Sequence, residues 1–478
     1  MMPPDMDLQI FFAFLLYFSV LLLIGLFSHR KSQSETDFIL GNRSLSFWLT
    51  ALSAHASDMS AWLFMSLPML IFVYGLSKAW VAIGLFIGMF VNWHFIAPKL
   101  REGTEKSDSY TLPTFFERRF NDASGAIRLL TASLTLLFLT FYLSGGLIAM
   151  GYLFEAIFGI DYYVGITIAI SVMVAYTFVG GFVAVAWTDF FQALFLLFVI
   201  ITVPFLALGK IGGSETVERV AQFRGISLEI FGNLTLASIG FIVIDALGWG
   251  LGYFGQPHIV TKFMGIRNVN EMKKAKWLGM SWQFLSLTGA VLVGLVGIGF
   301  FPEGLYNPEL VFVEMVKSSF PLFLAGVILC AILAANLSTM DSQIIVAASV
   351  ITEDFYKRLS SKVPTSAQLL KASRTAVVAV GLTAYLLATS KSSNVLDSIF
   401  YAWGGLGSSF GPLLWVTLYS KRVTLQGAIA GILVGGFMGI FWTSLNPLIL
   451  SWEVPTLVPG FLFGLISIYL ISYLTKSP

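Results

Sequence analysis

The chain has 478 residues, 57% of them hydrophobic and only 11% charged, where soluble domains carry about a quarter. So little charge cannot cover a water-facing surface, which makes lipid the solvent, and a net charge of +2 gives no basic field for nucleic acid. The single cysteine, Cys330, excludes an intrachain disulfide or a thiolate metal cluster, and His29, His55, His94 and His258 are not spaced as metal ligands.

A membrane-crossing helix needs about 20 mostly apolar residues. On that criterion thirteen spans are expected, at 8–27, 46–74, 77–97, 126–156, 162–182, 186–208, 232–254, 277–301, 319–349, 375–389, 394–419, 424–443 and 455–474. The first is read as a retained helix rather than a signal peptide, because Asp5 and Asp7 precede it while Arg30 and Lys31 follow. The polar stretches 98–125 and 255–276 are read as short connectors, and 209–231 as the main outer loop. On this map Lys and Arg gather in alternate loops, and only Lys78, Lys210, Arg219, Arg224, Lys317 and Lys391 lie on the opposite side. None is left inside a span. The rich side is taken as cytoplasmic, so the expectation is a multi-pass protein of the cell membrane with its N-terminus outside and its C-terminus inside.

Five spans over 46–208 and five over 232–419 run in opposite senses, because five is odd. That is the arithmetic of an inverted repeat, with 1–45 as an extra helix and loop, 209–231 as the external loop and 420–478 as two further helices. The first span of each half is interrupted: by Ser53-Ala-His-Ala-Ser-Asp-Met-Ser60, with Pro68 beyond, and by Gly248-Trp-Gly-Leu-Gly-Tyr-Phe-Gly-Gln-Pro257. Such matched breaks free backbone groups and point to a binding site near the midplane.

Asp58 lies in the first break, where an acid at membrane depth is costly and by default functional; the alternative is a carboxylate capping a kink. Ser338 and Thr339 sit in mid-span, where adjacent hydroxyls either serve a site or bond their own helix. Asp189 is read near a helix start, Asp245 one turn before the second break, and Asp341 on the face of Ser338.

Four stretches carry a family likeness: 40–45 with 51–63; Thr177-Phe-Val-Gly-Gly-Phe-Val-Ala-Val-Ala-Trp-Thr-Asp189; Gly248 to His258; and Ala331-Ile-Leu-Ala-Ala-Asn-Leu-Ser-Thr-Met340 with 351–357. By these the chain resembles the sodium:solute symporter family, in its proline-transporting branch. The resemblance implies an all-α LeuT-type inverted repeat of five plus five core helices within about 13 transmembrane helices. It implies sodium-coupled uptake of L-proline by alternating access; the alternative is sodium symport of another small solute, such as a different amino acid, a monocarboxylate, a sugar or a vitamin. Sodium is the co-transported ion. No enzyme activity and no obligate protein partner are expected.

Carried over by motif, the sodium ligands are the carbonyls of Ala56, Met59 and Ala335 and the hydroxyls of Ser338 and Thr339, supported by Asp58. The substrate residues are Ser60, Trp62, Tyr142, Trp249 and Tyr253, and Arg43 gates the cytoplasmic side. A possible second cation site joins Asp189, Ser338, Asp341 and Ser342. His55 stands where the family pattern has glycine, and Asp245 and Asp341 where it has small hydroxyl residues. His55 and Asp245 are therefore expected to bear on pH dependence or substrate choice.

Overall fold

The computed structural model describes residues 8–29, 34–232, 235–391 and 395–475. Arg30, Lys31, Asp5 and Asp7, used above for orientation, lie outside them. Among the described residues everything regular is helical, apart from one isolated parallel bridge between Leu45 and Ile266.

The chain opens with α1 (Leu8–His29), then α2 (Glu35–Leu40), held at its start by a capping box between Ser34 and Asp37. Gly41, Asn42 and Arg43 all have positive φ (60°, 49° and 52°) and turn the chain into α3 (Phe47–Asp58). Across a 75° bend lies α4 (Ser66–Tyr74). Next come α5 (Ala79–Val91) and α6 (Ala97–Lys106), joined through a π-helical turn into one rod, then α7 (Leu112–Arg119) and α8 (Ala126–Phe158). After them, α9 (Tyr162–Lys210) runs 49 residues, about 73 Å at 1.5 Å per residue and twice a bilayer's thickness. It holds the two spans expected there: Gly181 (φ 63°, ψ −164°) has non-helical geometry and divides the stretch into two helices that meet at a kink rather than across a loop. The connection after α9 holds α10 (Ser214–Arg224).

The second broken span consists of α11 (Leu236–Gly250), a 3₁₀ segment at 251–255 and α12 (Pro257–Met264). The remainder is α13 (Met272–Phe300), α14 (Val311–Ser319), α15 (Leu322–Ser349, continued by a π turn to Lys357), α16 (Ser366–Ala388), α17 (Val395–Tyr419), α18 (Leu425–Ile449) and α19 (Leu457–Leu474). By length and apolarity nine described helices can cross a membrane, ten with the bent α3–α4 pair. Counting α9 twice and adding α1 and α17 gives the thirteen crossings expected. The expected connectors are largely helical: 98–125 holds most of α6 and all of α7, and 255–276 holds α12.

Glycines set several close crossings, among them that of α5 with α11. Gly84 and Gly88, one turn apart on α5, face Ala246 and Gly250 on α11, and a Cβ at either α5 glycine would collide with the opposing carbonyl. Without a hydrophobic drive between helices in lipid, such close approach supplies the packing.

Outside the spans, Glu35 of α2 is buried, with Oε1 lacking a partner. Burial, together with the neighbouring Glu353 carboxylate, pushes its carboxyl up to about 8. The folded state therefore binds this proton more tightly than the unfolded chain does. The stabilisation is complete below the ordinary value of 4.5 and is lost as pH rises through about 8. The melting temperature of the detergent-solubilised protein is expected to fall between pH 7 and 9, and Glu35→Gln to flatten that part of the profile. An unchanged profile in the variant would place the titration elsewhere.

Candidate functional site

Both breaks lie in the core of the bundle. Rungs of α3 close as far as Met59 N–H to His55 O, at 3.1 Å. Met59 then leaves helical geometry (φ −85°, ψ 86°), Ser60 is extended, and the Ser60 N–H bonds Asp58 O instead of Ala56 O. Ala56 O is thereby released from the ladder and accepts from Ser338 Oγ of α15 at 2.8 Å. Ser338 Oγ also reaches Ala335 O at 2.9 Å, and Thr339 Oγ1 reaches the same carbonyl at 3.2 Å. Four of the five oxygens expected to hold sodium thus already converge, and the fifth, Met59 O, sits on the residue where helical geometry ends. The self-bonding alternative for Ser338 and Thr339 is also met. The hydroxyls bond their own helix carbonyl, and each could turn a lone pair to a hard cation.

The second break is kept open by a side chain: Gln256 Nε2 donates to Gly252 O and Trp403 O, both at 3.2 Å. Gly252 lies against the Trp403 ring and Gly255 against the Leu406 carbonyl, so neither position has room for a Cβ. The two breaks are tied together. Tyr253 OH donates to Asp58 Oδ2 at 2.6 Å and accepts from Gln283 Nε2 at 3.2 Å, while Asn92 Nδ2 holds Tyr253 O at 3.0 Å. Trp62 Nε1 donates to Asp58 O at 3.2 Å, and its ring lies 6.3 Å from that of Trp249. Trp249 in turn packs on Phe400 at 4.4 Å. Tyr142 is buried with its ring edge-to-face on His258. Of the residues expected to bind substrate, Ser60, Trp62, Trp249 and Tyr253 thus lie at the two joined breaks, and Tyr142 meets them through His258.

Several buried polar atoms here have no protein partner: Asp58 Oδ1, Ser60 Oγ, Gln283 Oε1 and both ring nitrogens of His258. Unsatisfied buried groups are costly and rare in a folded core, so this set is built for something that enters. Gln283, His258 and Trp403 were missed in the sequence. The first and last lie far from either break in the chain, while His258 directly follows the Gln-Pro pair and was the one within reach.

Other expectations change. Asp189 is not at a helix start; it is fully buried in the middle of α9. Nor are the spans free of cations. Lys262, placed in a connector above, is 1% exposed, and its Nζ lies 3.0 Å from Asp189 Oδ2. Proline at the first position of α12 restarts the helix inside the bundle and carries Lys262 with it. His55 faces away from the substrate residues: it accepts from Trp93 Nε1 at 3.1 Å and packs on Trp93, Trp282 and Gly279. It fills the gap opposite a glycine. Asp245 pairs with Lys78 at 2.9 Å, both about one-third exposed, at the rim of the bundle rather than in the pocket.

Arg43 joins three segments with one guanidinium. It donates to Thr104 Oγ1 (3.2 Å) and Thr104 O (3.0 Å) on α6, to Ser109 O (2.9 Å), and to Met264 O at the end of α12 (3.3 Å). The main chain reinforces this through Leu45 N–H to Gly265 O and Arg267 N–H to Leu45 O.

A sequence profile of the sodium:solute symporter family matches residues 38–435. The chain is 42% identical to a high-affinity proline transporter of Bacillus subtilis over 96% of both chains. It is 39% identical to a sodium/proline symporter of Salmonella typhimurium, over 98% of this chain and 93% of that one. Among solved structures, a substrate-bound, outward-open sodium-coupled sialic acid symporter shares the fold, with a TM-score of 0.84 at 20% identity over 99% of each chain.

Proposed function

The chain belongs to the sodium:solute symporter family, and from that premise we propose that it imports L-proline together with sodium by alternating access across the cell membrane. The observation that carries this reading is the union of the two breaks. The oxygens of Ala56, Met59, Ala335, Ser338 and Thr339 form the ion site, with Asp58 beside it. Directly across Asp58 stand Tyr253, Trp62 and Trp249. A zwitterionic imino acid with an apolar ring needs donors for its carboxylate, acceptors for its NH₂⁺ and a flat apolar wall. Ser60 Oγ and the backbone N–H groups at the breaks serve the first, Gln283 Oε1 and freed carbonyls the second, and the indoles the third. One bond, Tyr253 OH to Asp58 Oδ2, links the ion side to the solute side, so occupancy of either favours the geometry of the other.

The two sets of five crossings, 46–208 and 232–419, are read as inverted halves, with the N-terminus outside and the Lys- and Arg-rich face, where Arg43 sits, in the cytoplasm. The chain acts as a carrier, not an enzyme. Reconstituted protein is expected to accumulate labelled proline under an inward sodium gradient and not when choline replaces sodium. Counterflow against unlabelled amino acids, monocarboxylates and sugars ranks the substrate. A solute that displaces proline at lower concentration would reassign the substrate, and equal uptake without sodium would sink the symport reading. Trp249→Ala is expected to weaken proline about tenfold, since a buried ring contributes roughly 1–3 kcal/mol, while half-saturating sodium moves less than about twofold. Unchanged proline affinity would move the solute pocket elsewhere.

A further inference from the structure

Among the described residues, Lys262 is a buried cation next to the proposed ion site that the transport reading does not use. Its ammonium contacts Asp189 Oδ2 at 3.0 Å and lies 5.0 Å from the centre of the Phe182 ring. The same carboxylate oxygen accepts from Ser53 Oγ at 2.6 Å and Ser57 Oγ at 3.3 Å, both on α3. Ser57 Oγ shares a hydrogen bond of 2.8 Å with Ser342 Oγ on α15. Ser342 donates weakly to Asp341 Oδ1 at 3.4 Å, and Tyr176 OH donates to Asp341 Oδ2 at 2.9 Å. Two carboxylates and several hydroxyls, all buried, are the oxygen set that a hard cation selects. This pocket adjoins the sodium oxygens: Ser57 follows Ala56 in the chain, and Ser342 lies one turn beyond Ser338 on α15.

We propose that Lys262 is the resident cation of this second pocket, its ammonium filling the place against Asp189 that a second sodium ion would take, so that one sodium accompanies each solute. The inference rests on the sodium-symport reading above. A buried carboxylate without a counter-charge is severely penalised, and breaking such a pair by removing one partner costs far more than the pair contributes. The ammonium is tethered to α12, so it is present at every sodium concentration, and a sodium ion entering beside it would meet a like charge in a low-dielectric interior. Asp189 alone would recruit a mobile ion; with a built-in lysine it does not, and Asp341 is covered by the Tyr176 and Ser342 hydroxyls instead.

The test is the sodium-to-proline flux ratio of the reconstituted full chain, read from the reversal potential, together with the Hill coefficient for sodium. The wild type is expected to give one for both. Lys262→Met leaves Asp189 without its cation and is expected to raise the ratio and the Hill coefficient to two. Lys262→Arg, which keeps the charge, stays at one, and the double variant Lys262→Met/Asp189→Asn returns to one. A wild-type ratio of two overturns the proposal. So does a transporting Lys262→Met that remains at one, or a double variant that remains at two. Where Lys262→Met does not accumulate folded, the wild-type ratio decides alone. Failure of the underlying symport reading would be seen separately, as wild-type uptake indifferent to sodium.

Discussion

Asp58→Asn is expected to raise the sodium concentration for half-maximal uptake by about thirtyfold or more, and the proline concentration by less than about fivefold. Asp58 is buried between two residues of the ion set, Ala56 and Met59, and only one of its oxygens is engaged, by Tyr253 OH. A unit charge about 5 Å from a cation is worth roughly 3 kcal/mol at an effective dielectric near 20, and each 1.4 kcal/mol is about a factor of ten in affinity. Asparagine keeps the volume and can still accept from Tyr253, so the change isolates charge from packing. Uptake over a matrix of sodium and proline concentrations separates the two constants. If sodium dependence stayed as in the wild type, Asp58 would be only a cap on the end of α3.

Gly88→Leu is expected to abolish the folded carrier, leaving uptake below about a tenth of wild type and little monodisperse protein after solubilisation. The Gly84–Gly88 face of α5 meets α11 backbone to backbone, with the Gly250 carbonyl where a side chain would go. Backbone cannot rotate aside as a side chain can, and overpacking of a close-packed core typically costs 1–3 kcal/mol or more. The damage also reaches the site. Trp249 neighbours Gly250, and Asn92, one residue beyond the end of α5, holds Tyr253 O. Gly240→Ala, on the same α11 but with no atom within 4 Å of the added carbon, is the control and is expected to behave as wild type. A well-behaved Gly88→Leu would mean that α5 and α11 are not locked at this crossing.

The spans were readable because a helix in lipid must be apolar along its whole length, and the breaks because glycine, serine and proline cluster at Ser53–Ser60 and Gly248–Pro257. The proposed ion and substrate residues followed from motif likeness, and the structure places Ala56, Ala335, Ser338 and Thr339 in contact and Trp62 and Tyr253 on Asp58. What stayed hidden depended on direction and distance rather than composition. Nothing in the run Thr177–Asp189 reveals that the two helices of α9 meet at a kink at Gly181 with no loop between them. Lys262 looked like a loop residue because the polar stretch 255–276 contains a short helix that re-enters the core. His55 looked anomalous until Gly279 opposite it was seen, and Asp245 until Lys78 was.

The guanidinium of Arg43 has a consequence for what the carrier does between cycles. Four hydrogen bonds from one side chain, three of them spanning from the lead-in of α3 to α6 and α12 and the fourth reaching Ser109 O, keep these helix ends together. If they contribute a net of even about 2 kcal/mol, the inward-open form is held to roughly 3% of the idle population. With this face in the cytoplasm, as proposed, a cell that has concentrated proline behind such a latch loses little of it through resting carriers, so Arg43 in the proposed gating role also limits the uncoupled leak against which the sodium gradient must work.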